Sequence, residues 1–190
     1  MKLIHCADIH LDSPMQTHMT AQQASVRNTE MLQSFVRLTE FAQERAVRAV
    51  LIAGDLFDGA RVRARTVDAL LAAIRRTPEV DYLYLPGNHD EAANAFCDCA
   101  LPGNLKLFGK TWSTVQYDGI AISGVQIGAD AALYETLPHM DGAVNLVMLH
   151  GGIGTACGED MINLNLLKNR GIDYLALGHL HTYQTGRLSD

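Results

Sequence analysis

Apolar residues in this chain fall into short unbroken runs separated by longer stretches of helical spacing. Residues 3–7 form the first run and read as a buried strand. Over about 22–48, Leu32, Phe35, Val36, Leu38, Phe41, Ala42 and Ala46 recur at intervals of three and four. That spacing predicts a long helix with one apolar stripe. Residues 49–53 are a second strand, closed by Gly54. Val62, Val67, Leu70, Leu71 and Ile74 predict a second helix over about 62–76, and Pro78 ends it. Residues 82–85 are a third strand, stopped by Pro86 and Gly87. The order strand, helix, strand, helix, strand implies parallel strands joined by right-handed crossovers.

The second half has a different texture. The Ala-rich stretch 91–104, with Pro102 and Gly103, predicts a short helix and a turn. Across about 105–125, Leu105, Leu107, Val115, Tyr117, Ile120, Ile122 and Val125 sit in short runs. Gly109, Asp118-Gly119 and Gly124 break those runs, a pattern that predicts antiparallel hairpins. Residues 145–149 and 174–177 complete the strands, with a small helix near 160–168 between them. The whole predicts an α/β protein with a two-sheet mixed β-sandwich core flanked by helices, in α/β/β/α layers. No repeat, low-complexity tract or linker interrupts the pattern, so residues 1–190 read as a single domain.

Composition agrees with that picture. The 190 residues are 48% hydrophobic and 19% charged, as in ordinary globular domains with a substantial core. No apolar run approaches the roughly 20 residues that span a bilayer. Asp8 arrives too early for a secretory signal, so the expectation is a cytoplasmic protein with no membrane partner. Cys6, Cys97, Cys99 and Cys157 match neither a zinc knuckle nor a redox pair, and read as reduced thiols, with Cys6 buried at a strand end. The net charge of −6 argues against a protein that is basic all over. Local basic groups or bound cations still leave nucleic acid open as a substrate. Arg61, Arg63 and Arg65 read as a solvated helix face in preference to a lining of the site approach.

The chemistry lies in five motifs, each directly after an apolar run. They are Asp8-Ile9-His10, Gly54-Asp55-Leu56-Phe57-Asp58, Gly87-Asn88-His89-Asp90, His150-Gly151-Gly152 and Gly178-His179-Leu180-His181. Each begins within a residue or two of a predicted strand's carboxyl end, the edge where open α/β sheets bind ligands. Asp8 and Asp55 offer anionic oxygens, Asn88 an amide oxygen, and His10, His150, His179 and His181 imidazole nitrogens. A mixed nitrogen and oxygen set suits manganese, iron or zinc better than calcium or bare magnesium. These donors are too many for one first-row ion with an open position, but they suit two divalent metal ions sharing a bridge. Asp55, on a tight Gly-Asp turn, is the expected bridge. His5, His18 and His139 lie outside every motif and read as non-ligands.

From Asp8 to His181, and in this order, the motifs resemble the calcineurin-like metallophosphoesterase superfamily. The resemblance implies that Asp8, His10 and His181 hold one metal with Asp55. It implies that Asn88, His150 and His179 hold a second, again with Asp55, and that a hydroxide bridging the metals attacks phosphorus in line. It implies a catalytic role for His89 outside the metal shell, stabilising the transition state or protonating the leaving oxygen. Asp58 would back His89, and Asp90 is an alternative that the residues themselves leave open.

Segments 5–14 and 51–58, with Arg27-Asn28, resemble the SbcD-like DNA repair exonuclease branch of that superfamily. Gly59-Ala60 stands where the protein Ser/Thr phosphatase branch carries Arg-Gly. The branch implies manganese-dependent cleavage of DNA phosphodiesters, an ABC-type ATPase partner and a homodimer. Its members continue well beyond the last histidine motif, so the expectation includes a chain truncated at its C-terminal end, without its closing strands. The acidic balance makes a small-substrate phosphodiesterase or phosphatase the alternative. A non-catalytic scaffold is a further alternative, and the complete donor set argues against it.

Overall fold

The computed structural model describes all residues except 16–18, 60–61, 91–94, 97–98, 129, 159 and 189–190. The expected short helix within 91–104 lies in part outside the described residues, and His18, Arg61 and Cys97 lie outside them.

Four parallel strands form the first sheet, in the order β1 (Leu3–Cys6), β2 (Ala49–Ala53), β3 (Asp81–Leu85) and β4 (Leu105–Leu107). Helix α1 (Ala21–Glu44) joins β1 to β2, and α2 (Ala64–Arg75) joins β2 to β3. Every residue of β2 and β3 is buried, because both faces of this sheet are covered. Alternate residues serve alternate faces. Val50, Ile52, Tyr82 and Tyr84 pack under the helices with Phe35, Ala42, Leu70 and Ile74. Leu51, Ala53, Leu83 and Leu85 face Ile122, Leu146, Met148 and Ala176 of the second sheet.

That second sheet runs β10 (Tyr174–Gly178), β7 (Val144–His150), β6 (Ile120–Gly124), β5 (Ser113–Tyr117). Strands β6, β7 and β10 are parallel, and β5 pairs antiparallel with β6 across the Asp118-Gly119 turn. Its outer face is closed by Tyr134 of α3 (Ala132–Glu135) and Leu167 of α4 (Leu164–Leu167), packed with Val147 and Leu149. A small parallel pair, β8 (Gly152–Gly154) and β9 (Met161–Asn163), follows β7. The layers are the expected helix, sheet, sheet, helix arrangement.

Two local readings are corrected. Leu105–Leu107 is not part of a hairpin but the fourth parallel strand of the first sheet, with Leu105 in the core beside Tyr82. A three-residue edge strand carries no pattern that names its partner, so only β5–β6 is a hairpin here. Helix α1 ends at Glu44, before a turn in which Ala46 takes φ +50°. Its buried row is Phe35, Thr39 and Ala42. Phe41, six positions past Phe35, falls off that face, stays 48% exposed and carries the Arg45 guanidinium over its ring. Among the described residues no helix is long and apolar enough to cross a membrane.

Candidate metal centre

Strands β1, β2, β3, β7 and β10 all end at one edge of the sandwich, and each delivers one motif there. The β1 loop carries Asp8 and His10, the β2 loop Asp55 and Asp58, and the β3 loop Asn88 and His89. His150 is the last residue of β7, and His179 follows directly on β10, with His181 two positions on. Main-chain bonds continue the pairing of β1 and β2 into the loops. Asp8 N donates to Gly54 O at 3.0 Å, His10 N to Asp55 O at 2.9 Å, and Leu11 N to Leu56 O at 2.9 Å.

The motif glycines make room for the functional side chains. A Cβ on Gly54 would overlap the His150 ring, and one on Gly87 would overlap the Asp55 carboxylate. Gly54 also sits at φ +91°. Asp8, His10, Asp55, His179 and His181 themselves take φ of 54°, 48°, 50°, 107° and 49°. Such conformations cost a non-glycine residue on the order of 1 kcal/mol or more and concentrate where function fixes a side chain.

Two donor groups result. In the first, Asp8, His10, Asp55 and His181 bring one donor atom each within 4.8 Å of one another. His10 Nε2 lies 3.0 Å from His181 Nε2 and 3.7 Å from Asp55 Oδ2. In the second, His150 Nε2 lies 3.2 Å from Asp55 Oδ2 and 3.0 Å from Asn88 Oδ1, and His179 Nδ1 lies 3.3 Å from Asn88 Oδ1. Asp55 Oδ2 thus touches both groups. Its Oδ1 accepts the His89 N–H at 3.0 Å. Both oxygens of Asp8 accept the His179 N–H, at 2.8 and 3.0 Å, which ties the last loop to the first.

The proton inventory says what such a cluster is suited to hold. His150 Nδ1 donates to the Ala53 carbonyl at 2.9 Å. A neutral ring would then turn its Nε2 lone pair toward the Asp55 carboxylate, which cannot donate. Asp55 is 1% and His150 4% exposed, so water does not relieve the conflict. A further proton between the two groups, or a cation, resolves it. Without a cation the proton is favoured: burial pulls the His150 pKa down, but the bond to Asp55, the Ala53 carbonyl and the charge of Asp8 outweigh it and leave it raised. Burial likewise pushes the Asp55 carboxyl up, but the bonds from His150 and His89 N–H outweigh it and leave it lowered. His10 Nδ1 is buried without a hydrogen-bond partner, a costly state for a polar atom. Carboxylate, amide and imidazole donors, crowded with few protons to share, fit divalent metal ions.

His89 stands beside this cluster, about half exposed, and its Nδ1–H donates to Asp58 Oδ1 at 3.0 Å. Asp90 is otherwise engaged. It accepts from Leu56 N at 3.1 Å, Phe57 N at 2.7 Å and Gly87 N at 2.9 Å, so it pins the second motif loop to the third. His5 bonds the Tyr174 hydroxyl at 2.9 Å and the Leu177 carbonyl at 3.1 Å, joining the edge strands of the two sheets. His139 pairs with Asp141 at 3.3 Å. Burial pushes the Cys6 thiol up to about 12. Arg63, its side chain 40% exposed, is paired as well as solvated. Its guanidinium and main chain are bound to Asp12, a residue the motif reading passed over. No spacing rule marks Asp12 or Asp90, because the partners of Asp12 and most of those of Asp90 lie on distant segments of the chain.

Comparison with known proteins identifies the family. The model of the calcineurin-like phosphoesterases matches residues 1–183. An uncharacterized metallophosphoesterase, YhaO of Bacillus subtilis, is 27% identical over 97% of this chain and 49% of its own length. The DNA double-strand break repair protein Mre11 of Methanopyrus kandleri is 25% identical over 95% of this chain and 44% of its own. The chain therefore spans about half the length of the curated relatives it matches. Among solved structures, the Pseudomonas putida nuclease MPE aligns with 76% of this chain and 58% of its own at 18% identity, with a TM-score of 0.33, too low to bear on the fold. The match over residues 1–183, with all five motifs at one edge of the sandwich, makes this chain a member of the calcineurin-like phosphoesterase family.

Proposed function

We propose that this domain is a phosphodiesterase with two divalent metal ions, manganese in the first place, and that its substrate is DNA. The observation that carries the reading is the position of Asp55 Oδ2 between two donor groups, 3.7 Å from His10 Nε2 and 3.2 Å from His150 Nε2. Asp8, His10 and His181 would hold one ion, and Asn88, His150 and His179 the other, with Asp55 available to both. Ions held there would supply an acidified water as nucleophile and would offset charge on the phosphoryl oxygens. Hydrolysis breaks one phosphorus–oxygen ester bond and forms one to the oxygen of water. His89 is the acid. Asp58 holds its Nδ1–H, and in the imidazolium form the second proton, on Nε2, passes to the departing oxygen and leaves a neutral ring.

The DNA assignment rests on the likeness to a DNA double-strand break repair protein and on the sequence resemblance to the repair-exonuclease branch. An ABC-type ATPase partner and a homodimer belong to the same proposal. One observation favours a second reading, a small-substrate phosphodiesterase or phosphatase. The net charge is −6, and Arg63 is spent on Asp12 instead of facing a nucleic-acid backbone.

The test is hydrolysis by the purified chain with manganese added. Cleavage of bis-p-nitrophenyl phosphate and degradation of linear DNA at moderate salt, with nucleotide monoesters poor substrates, is the expected result. A preference for monoesters supports the second reading. Failure to hydrolyse either class with metal bound overturns both.

A further inference from the structure

Asp12 stands two residues past His10, outside both donor groups, yet it is the most heavily bonded carboxylate near them. Its side chain is 4% exposed. Oδ2 accepts the Arg63 N–H at 2.7 Å, and Oδ1 accepts Arg63 Nε at 2.8 Å, Arg63 Nη2, and Thr66 Oγ1 at 3.0 Å. Arg63 is the N-cap of α2 and has no side-chain cap of its own. Asp12 instead binds the N–H of that N-cap residue from another loop, where the helix dipole also favours a negative charge. To do so its backbone adopts φ +65°.

The two segments joined here are those that carry the shared carboxylate and its neighbours. Asp12 closes the loop holding Asp8 and His10. Arg63 closes the loop holding Asp55 and Asp58. Between the motifs the loops run side by side, with Leu11 N donating to Leu56 O at 2.9 Å and Asp58 N to Leu11 O at 3.1 Å. Asn28 Nδ2 of α1 grips the next carbonyl, Ser13 O, at 3.0 Å. Main-chain bonds alone permit the loops to open as a pair of strands does at its end. The Asp12 carboxylate is the charged tie that stops them.

We propose that Asp12 is a positioning residue for the site: its clamp on the start of α2 fixes the spacing of His10 against Asp55 and of Asp58 against His89. The inference rests on the metal-centre reading for its consequence, but the clamp can be measured without metal. Full-length Asp12→Ala, Asp12→Glu and Arg63→Ala variants are compared with wild type. Hydrogen exchange on metal-free protein reports the Leu11 and Asp58 amides against Leu83 of β3. Manganese titration and steady-state rates on bis-p-nitrophenyl phosphate report the consequence.

In Asp12→Ala, Leu11 and Asp58 should exchange about tenfold faster or more, with Leu83 unchanged. The kcat should fall about 10- to 100-fold with KM moving less than about twofold. Asp12→Glu should restore part of that loss. Arg63→Ala should be milder, since its N–H and Thr66 still hold Asp12, and it serves if Asp12→Ala fails to fold. A lower Tm with unchanged kcat, metal affinity and Leu11 protection overturns the proposal and leaves Asp12 a plain helix anchor. If the wild type takes up no manganese, the metal reading fails and the exchange data decide the clamp alone: unaltered Leu11 protection overturns it, faster exchange supports it.

Discussion

His10 and His181, 171 positions apart in the chain, set Nε2 against Nε2 at 3.0 Å. Two imidazole nitrogens at that distance share either one proton or one cation. Both rings belong to the first donor group, with Asp8 and Asp55. Replacing His181 by Ala should therefore cost manganese at one of two sites. Titration should fall from two equivalents toward one, and kcat/KM should drop on the order of 100-fold. Full stoichiometry in this variant would remove His181 from the ligand set.

His89 is argued to act without binding metal, because its Nδ1–H is given to Asp58 at 3.0 Å. His89→Ala should keep two manganese equivalents and lose about 10²- to 10⁴-fold in kcat, the usual worth of a positioned acid. Asp58→Asn should lose less, about 10- to 100-fold, since it leaves the acid itself in place. Loss of metal in His89→Ala contradicts the assignment.

The glycines of the motifs are steric requirements. Gly54→Ala brings a methyl group into the His150 ring at a backbone φ of +91°. It should destabilise the fold by about 1–3 kcal/mol and lower metal affinity with it. Gly119→Ala is the control, at φ +70° with open space around it, and should cost only about 1 kcal/mol and no metal. Calorimetry on both variants distinguishes crowding from backbone strain.

Asp12 gives the acid limb of stability a definite sign. Burial raises its carboxyl pKa, but the bonds from Arg63 and Thr66 outweigh that and leave it below the ordinary 3.8. A depressed folded-state pKa contributes stability that is complete above the unfolded value and lost as pH falls through the folded one. Wild type should therefore lose stability more steeply than Asp12→Asn below about pH 4, and the two slopes should converge near neutrality. Denaturant melts of metal-free protein from pH 6 to 2.5 read this directly.

The layers and the strand ends were legible because strands buried on both faces read as unbroken apolar runs. β2 and β3 have no exposed position to blur them. The donors were legible because each follows such a run within two residues. Other features leave no such trace. Leu105–Leu107 is too short to declare its partner strand. Thr39 hides in an apolar stripe by returning its hydroxyl to the Val36 carbonyl at 2.7 Å. Asp12 and Asp90 leave no pattern because each binds groups 30 or more positions away, Asp12 on Arg63 and Thr66 and Asp90 on the Leu56 and Phe57 N–H groups. Only coordinates bring those donors and acceptors together.

Crystals grown with manganese, with diffraction recorded at its absorption edge, test the central claim. Two anomalous peaks about 3.5–4 Å apart should flank the Asp55 carboxylate, one beside His10 and His181, the other beside Asn88 and His150. A single peak, or a pair that leaves Asp55 uncoordinated, contradicts the account.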